Sequence, residues 1–139
     1  MAYWLFKTEP NDYSWDAFVA DGRTDWDGVK NHQAARNMKA MAVGDRAFFY
    51  RSVKNPAVLG IMEVVAEAYP DPDDPAGPFV RVDLVPVRPL PEPVTLAAIK
   101  ATPELADLAL VRQSRLSVMP VEPAAWDRIC RMGGLDDAS

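Results

Sequence analysis

The stretch over residues 26–52, WDGVKNHQAARNMKAMAVGDRAFFYRS, constrains the fold of this chain more than any other. It opens with a polar turn of short side chains, Trp26-Asp27-Gly28-Val29-Lys30-Asn31, and continues as a short helical run with Met38, Met41 and Ala42 at helical spacing. A Gly44-Asp45 turn follows, and then an apolar strand over 47–50. An indole beside such a turn has two readings. It plugs the end of a core, the commoner use of a Trp next to Gly, or it forms a wall of a ligand cavity whose floor is the strand.

At 139 residues the chain has the length of one domain able to bury a core without staples. The expected domain covers 1–134, with 135–139 as a frayed tail after Gly133-Gly134. No apolar run reaches the roughly 18 residues of a membrane helix, and the start, MAYWLFK, lacks a signal-peptide pattern, so a cytoplasmic location is expected. One cysteine, Cys130, excludes an internal disulfide, and with one histidine, His32, it leaves too few ligands for a zinc site. A metal held mainly by carboxylates stays open, and no cofactor is implied. Cys130 shares a helix-like run with Trp126 and Ile129 and reads as packed core rather than as half of a Cys-His nucleophilic pair.

The net charge of -5 argues against generic polyanion binding, but the charge is unevenly spread. Residues 30–54 carry Lys30, Arg36, Lys39, Arg46, Arg51 and Lys54 against Asp45 alone, while residues 1–29 are net acidic. The opening segment and the loop around Asp71, Asp73 and Asp74 thus mask a local basic stretch. A solvated charged face is the commoner meaning of such a run.

Taken in order, 3–6 reads as a buried strand ended by Lys7-Thr8-Glu9-Pro10, and Ser14 caps a helix over 15–20 with Phe18 and Val19 on its apolar side. Strands are expected over 58–66, in a hairpin with 47–50, and over 79–87, with Gly60 marking a bulge, a bend or a close backbone approach. Residues 69–78 form a loop, and the proline-rich 88–93 a rigid extended connector. Thr95 caps a helix over 96–100, Thr102-Pro103 opens another over 104–110, a last strand covers 115–121, and a last helix buries Trp126, Ile129 and Cys130. Pattern alone leads to an α+β fold, a curled mixed sheet or small barrel flanked by short helices.

The chain resembles the EVE domain family, which includes the thymocyte nuclear protein group. The resemblance rests on Trp4-Leu5-Phe6-Lys7-Thr8-Glu9-Pro10, Trp26-Asp27-Gly28-Val29-Lys30-Asn31, Val43-Gly44-Asp45, Phe49-Tyr50-Arg51-Ser52, Gly60-Ile61, Ala68-Tyr69-Pro70-Asp71 and Arg115-Leu116-Ser117-Val118-Met119-Pro120-Val121. It implies a PUA-like mixed β pseudo-barrel with short helices around it, related to YTH domains, which read a methylated adenine in RNA through an aromatic cavity. It also implies a non-enzymatic module that binds nucleic acid carrying a modified base, with modified cytosine in DNA the usual proposal and DNA favoured over RNA. Two positions depart from the family pattern: Arg51 stands where His is frequent, and His32 where Tyr is common.

A base is read on its pairing edge only when flipped out of the stack, which calls for three kinds of group. Trp26 is the first candidate for the stacking face, with Trp15 and Tyr50 behind it, while Trp4 reads as core. Asn31, Ser52, Thr8, Ser117 and the backbone of Gly28 and Val29 are candidates for reading the edge, and Lys7 for facing the cavity. Lys30, Arg36, Arg51 and Arg115 are candidates for the phosphates. Each has a structural alternative: Asn31 as a helix cap, Ser117 filling a tight spot, Arg115 paired with Glu9 or Asp45. The rival functions are a hydrolase or transferase on a nucleotide-like ligand, with Asp27 or Glu9 as base, and a peptide- or metabolite-binding module.

Overall fold

In the computed structural model, which describes residues 1–8, 13–26 and 31–135, six strands join in one mixed sheet. They are β1 (Tyr3–Thr8), β2 (Thr24–Trp26), β3 (Arg46–Arg51), β4 (Ala57–Pro70), β5 (Val80–Thr95) and β6 (Val118–Val121), lying side by side as β2-β5-β4-β3-β1-β6. β1 runs parallel to β3, and the other pairings are antiparallel. In a flat sheet β2 and β1, four places apart, would stand about 19 Å from each other. Instead the Trp26 ring lies 5.1 Å from Phe6 and 5.9 Å from Phe49. The sheet therefore curls until its β2 edge faces β1 and β3, and the PUA-like pseudo-barrel is the fold.

Alternation along β1 and β3 sorts their side chains onto two faces. Phe6 pairs with Phe49 on the concave face, where Trp26 closes on them. Leu5 pairs with Phe48 on the other face, and Trp126 lies flat against Phe48 and Tyr3 at 3.9 and 4.4 Å. Trp126 comes from α5 (Pro123–Met132), whose Ile129 and Cys130 are also fully buried.

Two short helices cover the concave side. In α1 (Trp15–Asp21) the Ser14 hydroxyl accepts from the Ala17 amide, and Gly22 ends the helix at φ 73. Only Phe18 is buried there; Val19, expected beside it, is 51% exposed, because the seven-residue helix turns a narrow stripe inward. α2 (His32–Lys39) buries Ala34, Ala35 and Met38, and Asn37 Nδ2 donates to the Val118 carbonyl at 2.8 Å, tying it to β6. Met41 is buried just beyond the helix, whereas Ala42 is exposed.

Gly60 is where the sheet bends. The register of β4 slips between Val58 and Gly60 opposite Phe49 and Tyr50, and the six-membered ring of Trp15 lies on the glycine so closely that a Cβ there would be 2.5 Å from it.

Elsewhere some expectations give way. Residues 88–93 are not a connector but the continuation of β5, with Arg88 and Pro89 opposite Ile61 and Gly60; slipped register on β4 tolerates prolines that a regular central ladder would reject. Thr95 caps α3 (Leu96–Lys100) as expected. The helix expected over 104–110 splits into a 3-10 turn at Pro103–Leu105 and a one-turn α4 (Ala109–Arg112). Leu105, Leu108 and Leu110 are all buried, and on one helix Leu110 would face about 140° away from Leu105. The Thr102 hydroxyl does not cap that turn but donates back to Ala98. β6 starts at Val118 rather than 115, and Leu135, expected in the tail, is buried with its amide on the Cys130 carbonyl.

Candidate functional site

The two ends of the β1–β3 pair differ. At the start, the buried Asp45 carboxylate accepts from the Ala2 amide, the Trp4 indole and the Ala42 amide at 3.0–3.1 Å. Burial alone would raise its pKa, but these hydrogen bonds and the nearby N-terminus outweigh burial and hold it below the usual value. That end is sealed, and Trp4 is core as expected.

The other end carries the candidate side chains. Because β1 and β3 are parallel, Thr8, Arg51 and Ser52 finish side by side: the Ser52 amide and hydroxyl both donate to the Thr8 carbonyl, at 2.8 and 3.1 Å. The Thr8 hydroxyl reaches the Tyr13 carbonyl at 3.4 Å. Trp26 ends β2 there, 9% exposed, with Phe6, Tyr13 and Phe49 around it at interplanar angles of 61°, 77° and 85°. The indole closes the barrel, yet none of these three rings lies parallel to it. Gly28, Val29 and Lys30, which follow it in sequence, lie outside the described residues, as do Glu9 and Asp27, the candidate bases of the enzymatic alternative.

Asn31 caps α2, its Oδ1 accepting from the Ala34 amide at 2.9 Å, and its side chain is exposed. Arg36 and Lys39 are exposed on the same helix. Arg51 is half-buried and directs Nε and Nη2 at the Asn55 carbonyl, at 3.1 and 2.8 Å. His32 packs its ring against Phe79 at 5.2 Å.

A cavity of about 390 Å³ adjoins this aromatic group. Tyr13, Ser14, Trp15, Asp16, Phe49, Arg51, Leu59, Pro89 and Leu90 line it. It shares Tyr13 and Phe49 with the packing around Trp26, and its size is that of a small-ligand pocket.

Lys7 and Tyr50 are not brought to Trp26. They alternate onto the face of Leu5 and Phe48, where Lys7 Nζ donates to the Ser114 carbonyl at 2.8 Å and stands 6.0 Å from the Tyr50 ring. Burial lowers the Lys7 pKa and pushes the Tyr50 phenol up to about 12. Tyr50 is 2% exposed, which makes it core rather than a platform. Ser117 belongs to this group as well, its carbonyl accepting from the Lys7 amide. Arg115 is exposed, and Asp45 is held by Ala2, Trp4 and Ala42 instead.

Much of the acidic charge is tied up by arginines. The Arg81 guanidinium pairs with Asp25, Asp71 and Asp73, and Arg23 pairs with Asp83 at 2.8 Å. Asp83 also accepts from the Tyr69 hydroxyl at 2.6 Å, and burial together with that bond pushes Tyr69 up to about 12. Among the described residues, Arg36 and Lys39 are exposed on α2, and Lys54 is exposed in the turn that follows Arg51 and Ser52. The sequence alone does not single out Tyr13 or Asn37, and it brings in Phe49 only within the block Phe49-Tyr50-Arg51-Ser52.

The EVE domain profile matches residues 2–132. Mouse thymocyte nuclear protein 1 is 35% identical over an alignment covering 91% of this chain and 71% of its own. A solved structure from Rhodopseudomonas palustris, 52% identical, superposes with a TM-score of 0.94 over 99% of this chain and 96% of that one. The crystal structure of human THYN1 in complex with 5-methylcytosine containing DNA, 28% identical, gives 0.91 over 98% and 99%. The chain belongs to the EVE domain family.

Proposed function

We propose that the protein is a non-enzymatic DNA-binding module that holds a modified base, a modified cytosine, flipped out of the duplex at the open end of its barrel. The observation that carries this reading is the match along 98% of the chain to human THYN1, solved with DNA containing 5-methylcytosine. The local chemistry supports it. A flipped base needs a flat apolar face, and Trp26 is an indole at the barrel end with no ring among its three aromatic neighbours lying parallel to it. The hydroxyls of Thr8 and Ser52, the Asn31 amide and the backbone of Gly28 and Val29 are the groups assigned to the base edge. Arg36, exposed on α2, holds a flanking phosphate together with Lys30.

Lys7, Ser117 and Tyr50 drop out of the base-reading set, since their contacts lie on the opposite face. Arg51 keeps a phosphate role only at the rim, because its guanidinium is already engaged by Asn55. The test is a screen of the purified protein against short duplexes bearing different modified bases at two salt concentrations. Selective binding to one modified cytosine that persists at the higher salt is expected. Binding that ignores the modification and vanishes with salt would reduce the protein to a phosphate binder.

A further inference from the structure

The β3–β4 hairpin tip is built in an unusual way. Val53, Lys54 and Asn55 have φ of 59°, 40° and 57°, and they are the non-glycine residues with positive φ among those described. An asparagine takes that conformation readily, but a β-branched valine does so only under strain, and a glycine would do it at no steric cost. Val53 is nonetheless 57% exposed, so its side chain returns nothing to the core.

The tip is also held rigidly. Arg51 grips the Asn55 carbonyl with two donors, the Ser52 amide and hydroxyl anchor to the Thr8 carbonyl, and the Leu96 amide donates to Pro56 at 2.9 Å. It projects from the barrel end where Thr8, Ser52 and Trp26 finish, with the Lys54 ammonium exposed beside Val53. A strained, braced and solvated apolar side chain flanked by cations suits one task at such a place. When a base leaves a duplex, its former position in the stack is refilled by an apolar group, while the phosphates on either side need positive charge.

We propose that Val53 is a wedge entering the DNA duplex where the base is extracted, with Lys54 on an adjoining phosphate. The inference rests on the base-reading function above, and one experiment separates the two. Wild-type protein and the Val53→Gly variant are titrated with a duplex containing a single 5-methylcytosine, and with the same modified strand alone. Glycine relieves the backbone, so the variant is expected to unfold at the same or a higher temperature. Its affinity for the duplex should fall about tenfold, the worth of one buried valine contact, while single-strand affinity changes less than about twofold. Equal duplex binding by Val53→Gly overturns the wedge and leaves the reader intact. Loss on duplex and single strand alike also overturns it, since the tip would then shape the pocket. A wild-type protein that ignores both modified ligands overturns the reading beneath it. Val53→Asn, which also accepts positive φ, repeats the test with a side chain that is polar rather than absent.

Discussion

Two tryptophans on opposite faces of the same strands are packed in different ways, and the proposed function gives them different tasks. Trp126, carried by α5, lies flat on Phe48 and Tyr3 at 3.9 and 4.4 Å and is fully buried. Trp26 meets its three ring neighbours at steep angles, remains 9% exposed, and ends its strand beside Phe6 and Phe49. Trp126 has its stacking partners within the protein. Trp26 closes the barrel by its contacts, and in the proposed function its parallel partner is the flipped base.

The largest expected effect lies on the closed face. Trp126→Ala should cost about 3–5 kcal/mol of stability in denaturant melts, and the fraction still folded should bind modified DNA as wild type does. A selective loss of DNA affinity there would erase the contrast between the faces. On the open face, Trp26→Ala should weaken binding to the modified duplex by about 1–3 kcal/mol in fluorescence titrations. It should also lower stability, because three rings lose a neighbour, but by less than Trp126→Ala does.

Gly60→Ala sharpens the comparison from the side. A methyl 2.5 Å from the Trp15 ring must push α1 away from β4, at about 1–3 kcal/mol of stability. If its melting temperature equals that of the wild type, the bend at Gly60 does not fix the Trp15 ring. Lys30→Glu with Arg36→Glu should weaken binding to modified and unmodified duplexes equally and flatten the salt dependence, since Arg36 is exposed and distant in role from the base edge.

The smallest effect belongs to the sealed end. Asp45 has a folded pKa below its unfolded value of about 3.9, so its stabilisation is complete above that value and disappears as pH falls through the lower folded one. Thermal melts from pH 5 downward should show a shallower acid decline for Asp45→Asn, from a lower starting temperature. An identical decline would mean that the bonds to Ala2, Trp4 and Ala42 do not set its titration.

Local signals made much of the fold legible in the sequence. Ser14, Asn31 and Thr95 each cap the helix that their position announced, and the alternation of Val80, Val82 and Leu84 with Arg81 and Asp83 puts Val82 and Leu84 in the core and leaves Val80 partly buried. Long-range geometry was the part left hidden. Nothing local tells that a curling sheet brings Trp26 to Phe6, or that alternation from Phe6 sends Lys7 to the opposite face. The Pro-rich 88–93 misled because its pairing depends on bulges in a different strand, β4. The hairpin tip offered no glycine to announce its left-handed turn, since it is held by Arg51 reaching across it.

The most direct measurement uses the fact that the chain has four tryptophans, Trp4, Trp15, Trp26 and Trp126, and so four indole N–H signals. In ¹H–¹⁵N spectra, adding a duplex with one 5-methylcytosine should shift the Trp26 signal strongly, and an unmodified duplex should not, while Trp4 and Trp126 stay in place with either. If Trp26 stays still while Trp15 moves, the base sits in the cavity lined by Trp15 instead, and recognition by the Trp26 indole is contradicted.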